Sequence, residues 1–384
     1  MSDSTSSSGV PAAFDAFARR LEDAFDAWTK LPRAWPDPVF EAYALEAFRL
    51  QFDANRPYAR YCHAIGADPG SVTDWRAIPP VPTAAFRCVE LIVGDPADAE
   101  LRFRTSGTTR GAAERGTHLV RDAELYRAAL LGPFRHAVLD SRAEARLLVL
   151  HAPFEPARDS SLAWMLDAAW DAFAAPGSTR VDPGGLGAGA AGAPGDAGAS
   201  GGGTWDALDA AREADEPIAI IGTTLALAAW SDRIVETEGR IGLPAGSSIM
   251  DTGGVKGREG LDRGVVVAGL AETFGIPEDR VVNEFGMTEL LSQRYATGVG
   301  RLAHRGPPWL RSRVLDPVTL EERPEGAEGI LCHYDLANAG SAVAVLTEDR
   351  GRAIGDAIEW LGRTPGAVPR GCSIATADLL EAQE

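Results

Sequence analysis

The sequence contains few cysteines and very few lysines. Its four cysteines are scattered along 384 residues without a CxxC pair: Cys62, Cys88, Cys332 and Cys372. This distribution excludes a disulfide scaffold and a zinc ribbon. Of the 37 basic residues, only Lys30 and Lys256 are lysines. Any role that requires a lysine therefore has two candidates.

Long apolar runs and a net positive charge are also missing. The longest apolar stretch, residues 217–230, is interrupted by a glycine and two threonines and is too short to span a bilayer, which takes about 20 helical residues. The N-terminus lacks the basic and apolar regions of a signal peptide. The net charge of −18 disfavours binding to phosphate backbones and anionic lipids. We expect a cytoplasmic protein with no nucleic-acid partner and no membrane insertion.

The pattern of apolar residues predicts an α/β architecture. Between Ala12 and Phe52 apolar positions recur at helical spacing and are interrupted by prolines, which predicts two helices. The runs Arg146–His151 and Ile218–Ile221 predict buried strands, each followed by a helical pattern. Strands that alternate with helices favour a largely parallel sheet. After Pro307 short strand-and-turn segments predict a small β-rich subdomain (residues 307–384) that follows an α/β core (residues 1–306) along the chain.

A low-complexity Gly/Ala stretch covers residues 183–203. It contains a formal GxGxxG at Gly187, Gly189 and Gly192. A dinucleotide-binding loop needs a strand before it and a helix after it, and neither is predicted here. We interpret this stretch as a flexible insertion.

A polar loop is predicted between residues 103 and 118. Four hydroxyl groups surround Gly107, from Thr105, Ser106, Thr108 and Thr109. Such a loop can wrap a phosphate chain with hydroxyl and backbone N–H donors. It is not a Walker A loop, because no lysine follows at the required spacing. An ordinary Ser/Thr/Gly turn is the alternative interpretation.

A second polar segment, VVNEFGMTELLSQRY, covers residues 281–295. Its pattern predicts a strand, a turn that carries Glu284, Gly286, Thr288 and Glu289, and then a helix. A carboxylate and a hydroxyl at such a turn suit a Mg²⁺–phosphate site. Capping of the helix N-terminus by Thr and Glu would explain the same residues.

The order and spacing of several segments resemble the adenylate-forming superfamily of acyl- and aryl-CoA ligases. The polar loop and EFGMTE are followed by LTED at residues 346–349 and by GR at residues 362–363. MDTGGVKGR (250–258), HYDLAN (333–338) and RGCS (370–373) sharpen the resemblance to the acyl-protein synthetases, the LuxE-type long-chain-fatty-acid–luciferin-component ligases. The resemblance extends over roughly residues 10–380. It implies the large domain of an adenylate-forming enzyme, with layered, mostly parallel sheets and a small β-rich subdomain.

This resemblance implies ATP-dependent activation of a fatty or other carboxylic acid to an acyl-AMP, with Mg²⁺. Ser106, Gly107, Thr108 and Thr109 would hold the β- and γ-phosphates, and Thr288 the α-phosphate. Glu289 would bind the Mg²⁺. Asp349 would bind the ribose hydroxyls, with Arg363 at the same edge.

The resemblance also implies a covalent step. In this family a cysteine near the C-terminus accepts the acyl group as a thioester and delivers it to an acyl reductase partner. Cys372, 12 residues from the C-terminus, has this context. The alternative is a small buried apolar residue, which is the role that we assign to the other three cysteines.

The sequence departs from the family pattern in its cations. The loop reads GTTRG and lacks the lysine that often follows, so Arg110 or Arg115 would have to supply the charge. Only 21 residues follow Arg363, so the mobile C-terminal domain with its catalytic lysine is expected to be largely absent. Lys256 is a candidate to contact the carboxylate or the pyrophosphate, with a solvated turn lysine as the alternative.

The acyl pocket has only weak candidates. These are His151, the paired Ser160 and Ser161, and the stretch Gly222–Trp230. Each could equally belong to the core.

Three functions remain open at this point. The chain could be a self-acylating synthetase, a ligase that passes the acyl group to coenzyme A or a carrier protein, or a non-catalytic partner of a reductase complex. The identity of the acid cannot be predicted.

Overall fold

The computed structural model describes residues 9–105, 115–156, 159–183, 202–253, 263–298 and 302–363. They form two compact units. Unit 1 comprises the described residues of Met1–Gly132, Gly286–Gln293 and Ala303–Glu384, and unit 2 those of Pro133–Phe285 and Arg294–Leu302. This division groups the C-terminal β-rich segment with the N-terminal helices. The boundary at residue 306 stays a prediction.

Helices and strands alternate through the middle of the chain, as predicted. The α-helices are α1 (Gly9–Lys30), α2 (Asp37–Ala54), α3 (Arg56–Ala64), α4 (Ala123–Val138), α5 (Ser161–Phe173), α6 (Gly202–Ala214), α7 (Thr224–Thr237) and α8 (Arg263–Phe274). The first strands are β1 (Val81–Pro82), β2 (Leu101–Arg104), β3 (Thr117–Val120), β4 (Arg146–Leu150), β5 (Thr179–Arg180), β6 (Ile218–Thr223) and β7 (Ser248–Thr252). The remaining strands are β8 (Val281–Phe285), β9 (Arg294–Thr297), β10 (Ala303–His304), β11 (Leu310–Leu315), β12 (Glu328–Asp335), β13 (Ala344–Ile354) and β14 (Ala357–Arg363).

Unit 1 packs the two predicted N-terminal helices and α3 with an antiparallel sheet. The strand order is β10-β14-β13-β12-β11, and β1 pairs in parallel with β13. The buried Phe25 of α1 stacks on Trp309, with 4.1 Å between the ring centroids. Asn55 caps α3 by accepting from the Tyr58 N–H, and its side-chain amide donates to the Ser341 carbonyl at 2.9 Å. The first contact fixes α1 to the residue before β11, and the second fixes α3 to the loop that precedes β13.

Unit 2 is built on a mostly parallel sheet with the order β5-β4-β6-β7-β8-β9. Only β9 runs antiparallel to its neighbour. A core of apolar side chains from these strands and from α6, α7 and α8 is fully buried. Chain order changes direction in the sheet between β4 and β6, and ligands of open α/β sheets bind outside the carboxyl ends of strands at such a point.

The prediction of a helix after Glu289 is wrong. Gly286–Gln293 is a turn and an extended segment, and Arg294 begins β9. The N–H groups of Leu291 and Ser292 donate to the Asp335 carboxylate at 2.9 and 2.8 Å, so they have no need of helical partners. Helix capping therefore no longer explains Thr288 and Glu289.

The assignment of three cysteines to the core is confirmed for two of them. Cys62 and Cys332 are fully buried, and burial raises the pKa of each thiol to about 12. The assignment is wrong for Cys88, which is exposed. Cys88 directly follows the 3₁₀ helix Thr83–Arg87, and the next residue, Val89, is the one whose side chain is buried. Cys372 lies outside the described residues, as does most of the Gly/Ala stretch. None of the helices in the described part of the chain is long and apolar enough to cross a bilayer.

Candidate active site

The candidate phosphate loop connects the antiparallel strands β2 and β3. Thr105 closes its base: its N–H donates to the Gly116 carbonyl at 3.0 Å, and its hydroxyl accepts from the Gly116 N–H at 2.8 Å. The guanidinium of Arg115 donates to the carbonyls of Thr105 and Arg104. Ser106, Gly107, Thr108 and Thr109 lie outside the described residues, so their phosphate contacts stay predictions.

Buried side chains from three other elements hold the turn that carries Thr288 and Glu289. His118 of β3 donates from Nδ1 to the Thr288 carbonyl at 2.6 Å, and the Asn338 amide donates to the Glu289 carbonyl at 3.0 Å. Burial lowers the pKa of His118 to about 4, so the imidazole is neutral and donates through Nδ1–H. Asp335 accepts from the Ser292 hydroxyl at 2.7 Å. The backbone that carries the predicted phosphate and metal contacts is therefore held by hydrogen bonds with buried side chains of the protein itself.

Glu289 is a buried acid with an unusual environment. Burial raises the pKa of its carboxyl to about 7, the positive charges of Arg363 and Arg87 lower it, and the negative charge of Asp349 raises it. Glu289, Asp349 and Arg363 therefore lie close enough for their charges to affect one another. The family resemblance implied a common site for the three residues.

Asp349 and Arg363 face each other across neighbouring strands. They are paired in register on β13 and β14, and Arg363 Nε lies 3.5 Å from Asp349 Oδ1. The Asp349 side chain is 8% exposed and the Arg363 side chain 41%. The Thr347 hydroxyl accepts from the Asp349 N–H at 3.1 Å and donates to the Leu331 carbonyl at 2.8 Å. The carboxylate of this ion pair is therefore buried, and its guanidinium is exposed to solvent.

The environment of Glu289 fits a divalent cation. Within the described ranges this carboxyl forms no ion pair, and burial disfavours its charged form unless a cation binds. No group of three or more His, Cys, Asp and Glu side chains that could hold a metal occurs among the described residues. Mg²⁺ requires only one or two carboxylates when phosphates supply further oxygens. Glu289 could therefore hold Mg²⁺ together with a phosphate ligand.

Unit 2 has its own buried polar cluster at the carboxyl ends of β7 and β8. The Asp251 carboxylate accepts from Thr224 Oγ1 at 2.9 Å and pairs with Arg263 at 2.8 Å. The Thr252 hydroxyl donates to Glu284, whose pKa is raised to about 7 by burial and by the nearby Asp251. Lys256 lies outside the described residues. The cluster anchors both ends of the segment that contains Lys256.

The candidates for the acyl pocket have local structural roles. Ser160 caps α5, because its hydroxyl accepts from the Ala163 N–H at 3.2 Å. His151 Nδ1 donates to the Ala152 carbonyl at 2.8 Å. Thr223 caps α7, and Leu227 and Trp230 of that helix are buried. None of these roles tests the pocket, which stays a prediction.

Sequence reasoning missed the residues that hold the turn. His118 and Asp335 lie at the start of β3 and the end of β12, and Asn338 lies in the short 3₁₀ helix Leu336–Gly340 that follows β12. Polar residues in such apolar segments are the only signal that the sequence carries, and it does not show which groups they contact.

The fold is that of the adenylate-forming enzymes. An open conformation of 2-hydroxyisobutyryl-CoA ligase in complex with 2-HIB-AMP and CoA is similar, with a TM-score of 0.58 and 13% identity over 86% of this chain and 70% of that chain. The same ligase in the postadenylation state with 2-HIB-AMP gives a TM-score of 0.57 and 14% identity over 85% of this chain and 67% of that chain. In the thioesterification state with 2-HIB-AMP and CoA, the ligase gives a TM-score of 0.58 and 14% identity over 85% of this chain and 68% of that chain.

Within this class, residues 204–380 match the sequence profile of the acyl-protein synthetase family LuxE. The predicted resemblance is thereby confirmed over slightly less than half of the chain. The matched stretch contains Glu284, Thr288, Glu289, Asp349, Arg363 and the two residues outside the described ranges, Lys256 and Cys372. A sequence comparison with curated proteins gives no significant match.

Proposed function

We propose that this chain uses ATP to activate a carboxylic acid as an acyl-adenylate and then transfers the acyl group to a thiol. The observation that carries the proposal is the fixed Thr288–Glu289 turn beside the Asp349–Arg363 pair. The match of residues 204–380 to the acyl-protein synthetases supports the same activity. The 2-hydroxyisobutyryl-CoA ligase with a similar fold was solved with an acyl-adenylate bound.

The first step joins a carboxylate oxygen to the α-phosphorus and breaks the bond from that phosphorus to the bridging oxygen. Pyrophosphate leaves with the electron pair. Because nucleophile and phosphates are all anionic, the protein must supply donors and positive charge. The Thr288 side chain would contact the α-phosphate, on a backbone that His118 and Asn338 hold in place. Mg²⁺ held by Glu289 would neutralise phosphate charge.

Asp349 would orient the nucleotide. A carboxylate accepts hydrogen bonds from both ribose hydroxyls, and Arg363 Nε lies 3.5 Å from Asp349 Oδ1 and would hold that oxygen to one side. The Thr347 hydroxyl fixes the backbone at this position. This arrangement would position the ribose, while bonds form and break at the α-phosphorus.

In the second step a thiolate attacks the acyl carbonyl carbon, AMP leaves and a thioester forms. We propose Cys372 as this thiol, since its sequence context resembles the acyl-accepting cysteine of the family. Its thioester would then deliver the acyl group, a fatty acyl chain in this family, to an acyl reductase. A free thiol such as coenzyme A is the second candidate, because the ligase with a similar fold was solved with CoA bound.

The first step is tested by acid-dependent exchange of pyrophosphate into ATP with a panel of carboxylic acids. We expect exchange with at least one acid, and Glu289→Gln should lower it by about 100-fold or more because the cation site is lost. Glu321→Gln, at an exposed position of unit 1, is the matched control and should exchange as the wild type does. Glu289→Gln should still fold, since an amide replaces a carboxyl group that burial already disfavours as an anion. Absence of exchange with every acid would contradict the proposal and support a non-catalytic partner.

A further inference from the structure

Arg87 lies at the end of a short 3₁₀ helix, Thr83–Arg87, that follows β1. Because β1 and β13 are parallel, with Val81 opposite Val345 and Pro82 opposite Leu346, both segments continue in the same direction beyond this pairing. After β1 the chain continues to Arg87, and along β13 it continues to Asp349. The 3₁₀ helix also packs against β3.

Phe86 fixes the position of this helix against the candidate site. Its ring packs edge-on against the His118 ring, with 5.5 Å between centroids. Its backbone lies so close to Gly116 that a Cβ added there would be 3.2 Å from the Phe86 carbonyl carbon. His118 holds Thr288, and Gly116 closes the base of the candidate phosphate loop. The residue directly before Arg87 therefore touches both parts of the site.

Among the residues that the structure describes, the guanidinium of Arg87 has no hydrogen-bond or ion-pair partner. Arg87 is exposed and forms no ion pair or hydrogen bond through its side chain with the described residues, yet its charge acts on Glu289. Arg115 donates to two backbone carbonyls, and Arg363 pairs with Asp349. Arg87 is thus an exposed guanidinium that directly follows Phe86, the residue that contacts Gly116 at the base of the candidate phosphate loop. The family pattern has a lysine just beyond this loop, and this chain does not.

We propose that Arg87 binds the β- and γ-phosphates of the nucleotide, and so stabilises the pyrophosphate as it leaves. This assignment rests on the proposed function. A guanidinium presents several N–H donors in one plane and can contact two phosphate oxygens at once. The charge on those oxygens increases when the bond to the α-phosphorus breaks, so a cation there favours the transition state.

The test compares Arg87→Gln, Arg87→Lys and the control Arg60→Gln, which changes an exposed arginine of α3 in the same unit. Calorimetry measures the binding of Mg-ATP and, separately, of AMP, which lacks the β- and γ-phosphates. We expect Arg87→Gln to weaken Mg-ATP binding about tenfold or more and to leave AMP binding unchanged. Arg87→Lys should be intermediate, and Arg60→Gln should bind as the wild type does. In acid-dependent exchange, Arg87→Gln should lower kcat/KM by at least the same factor.

Equal binding of Mg-ATP by Arg87→Gln and the wild type would overturn this assignment, as would equal losses for Mg-ATP and AMP. Failure of the proposed function gives a different result. A wild type that binds Mg-ATP without any exchange would contradict the function, while the binding comparison would still decide the role of Arg87. A wild type that does not bind Mg-ATP would overturn the role of Arg87 as well.

Discussion

Each unit of this chain contains a buried glutamate whose pKa is raised to about 7. Glu289 lies in unit 1 and Glu284 in unit 2, and burial is the main cause for both. A buried carboxyl of this kind lowers stability at neutral pH unless a ligand or a cation compensates. Perturbed acids of this kind cluster at functional sites. We therefore expect ligand groups to bind near these two buried side chains.

Glu284 makes stability depend on pH. Its pKa is about 7 in the folded state and 4.5 in the unfolded reference, so the folded state binds more protons between these values and wild-type stability falls as pH rises across them. Glu284→Gln removes this loss. We expect the stability of the variant relative to the wild type to increase from pH 5 to pH 7.5, by at most about 1.4 kcal/mol per pH unit.

Urea unfolding at the two pH values measures this difference. Glu213→Gln, at an exposed position of α6 in the same unit, is the control and should show no such trend. A difference between Glu284→Gln and the wild type that does not change with pH would show that this carboxyl is ionised in the folded protein.

The turn Gly286–Gln293 shows how one element takes its shape from others. One buried carboxylate, Asp335, accepts from the N–H groups of Leu291, Ser292 and Ala337 and from the Ser292 hydroxyl. The local sequence predicts a helix here because it contains consecutive leucines and a capping pattern. Long-range hydrogen bonds override that preference. The result is a rigid turn that carries Thr288 and Glu289.

Asp335→Asn tests this role of the carboxylate. The two donors Leu291 N–H and Ser292 N–H share Oδ2, whereas Oδ1 faces the Ser292 hydroxyl and Ala337. The single oxygen of an amide can accept from the donors at only one of these two positions. Its NH₂ group then faces the N–H groups or the N–H and hydroxyl at the other position. We expect the free energy of unfolding to fall by about 1–3 kcal/mol and the rate of exchange to fall with it.

Denaturant unfolding and pyrophosphate exchange measure the two effects of Asp335→Asn. The control is Asp316→Asn, at an exposed turn where the carboxylate accepts from the Val318 and Thr319 N–H groups. The control should change both quantities much less. If the two variants behaved alike, Asp335 would not be what holds the turn.

For the whole molecule, the sequence allowed the alternation of strands and helices to be predicted, as well as the two N-terminal helices and the β-rich C-terminal segment. Each of these depends on local apolar periodicity. Strand order and the grouping of residues 303–363 with the N-terminal helices could not be predicted, because they depend on contacts between distant segments.

The candidate site shows the same limit. The family resemblance grouped Glu289, Asp349 and Arg363, and the structure places them in one electrostatic neighbourhood. His118, Asp335 and Arg87 were missed, since nothing in their local sequence shows which backbone or charge they face. Ser106–Thr109, Lys256 and Cys372 lie outside the described residues, so their roles stay predictions.

The central claim is that the chain activates an acid and captures the acyl group on Cys372. The most direct test is the intact mass of the protein after incubation with Mg-ATP and a panel of fatty acids, for the wild type, Cys372→Ala and Cys88→Ala. Cys88 is the exposed cysteine of the described residues, so it controls for non-specific acylation. We expect a hydroxylamine-labile acyl adduct on the wild type and on Cys88→Ala, and none on Cys372→Ala. An adduct that persists on Cys372→Ala, or AMP release only after coenzyme A is added, would contradict the claim.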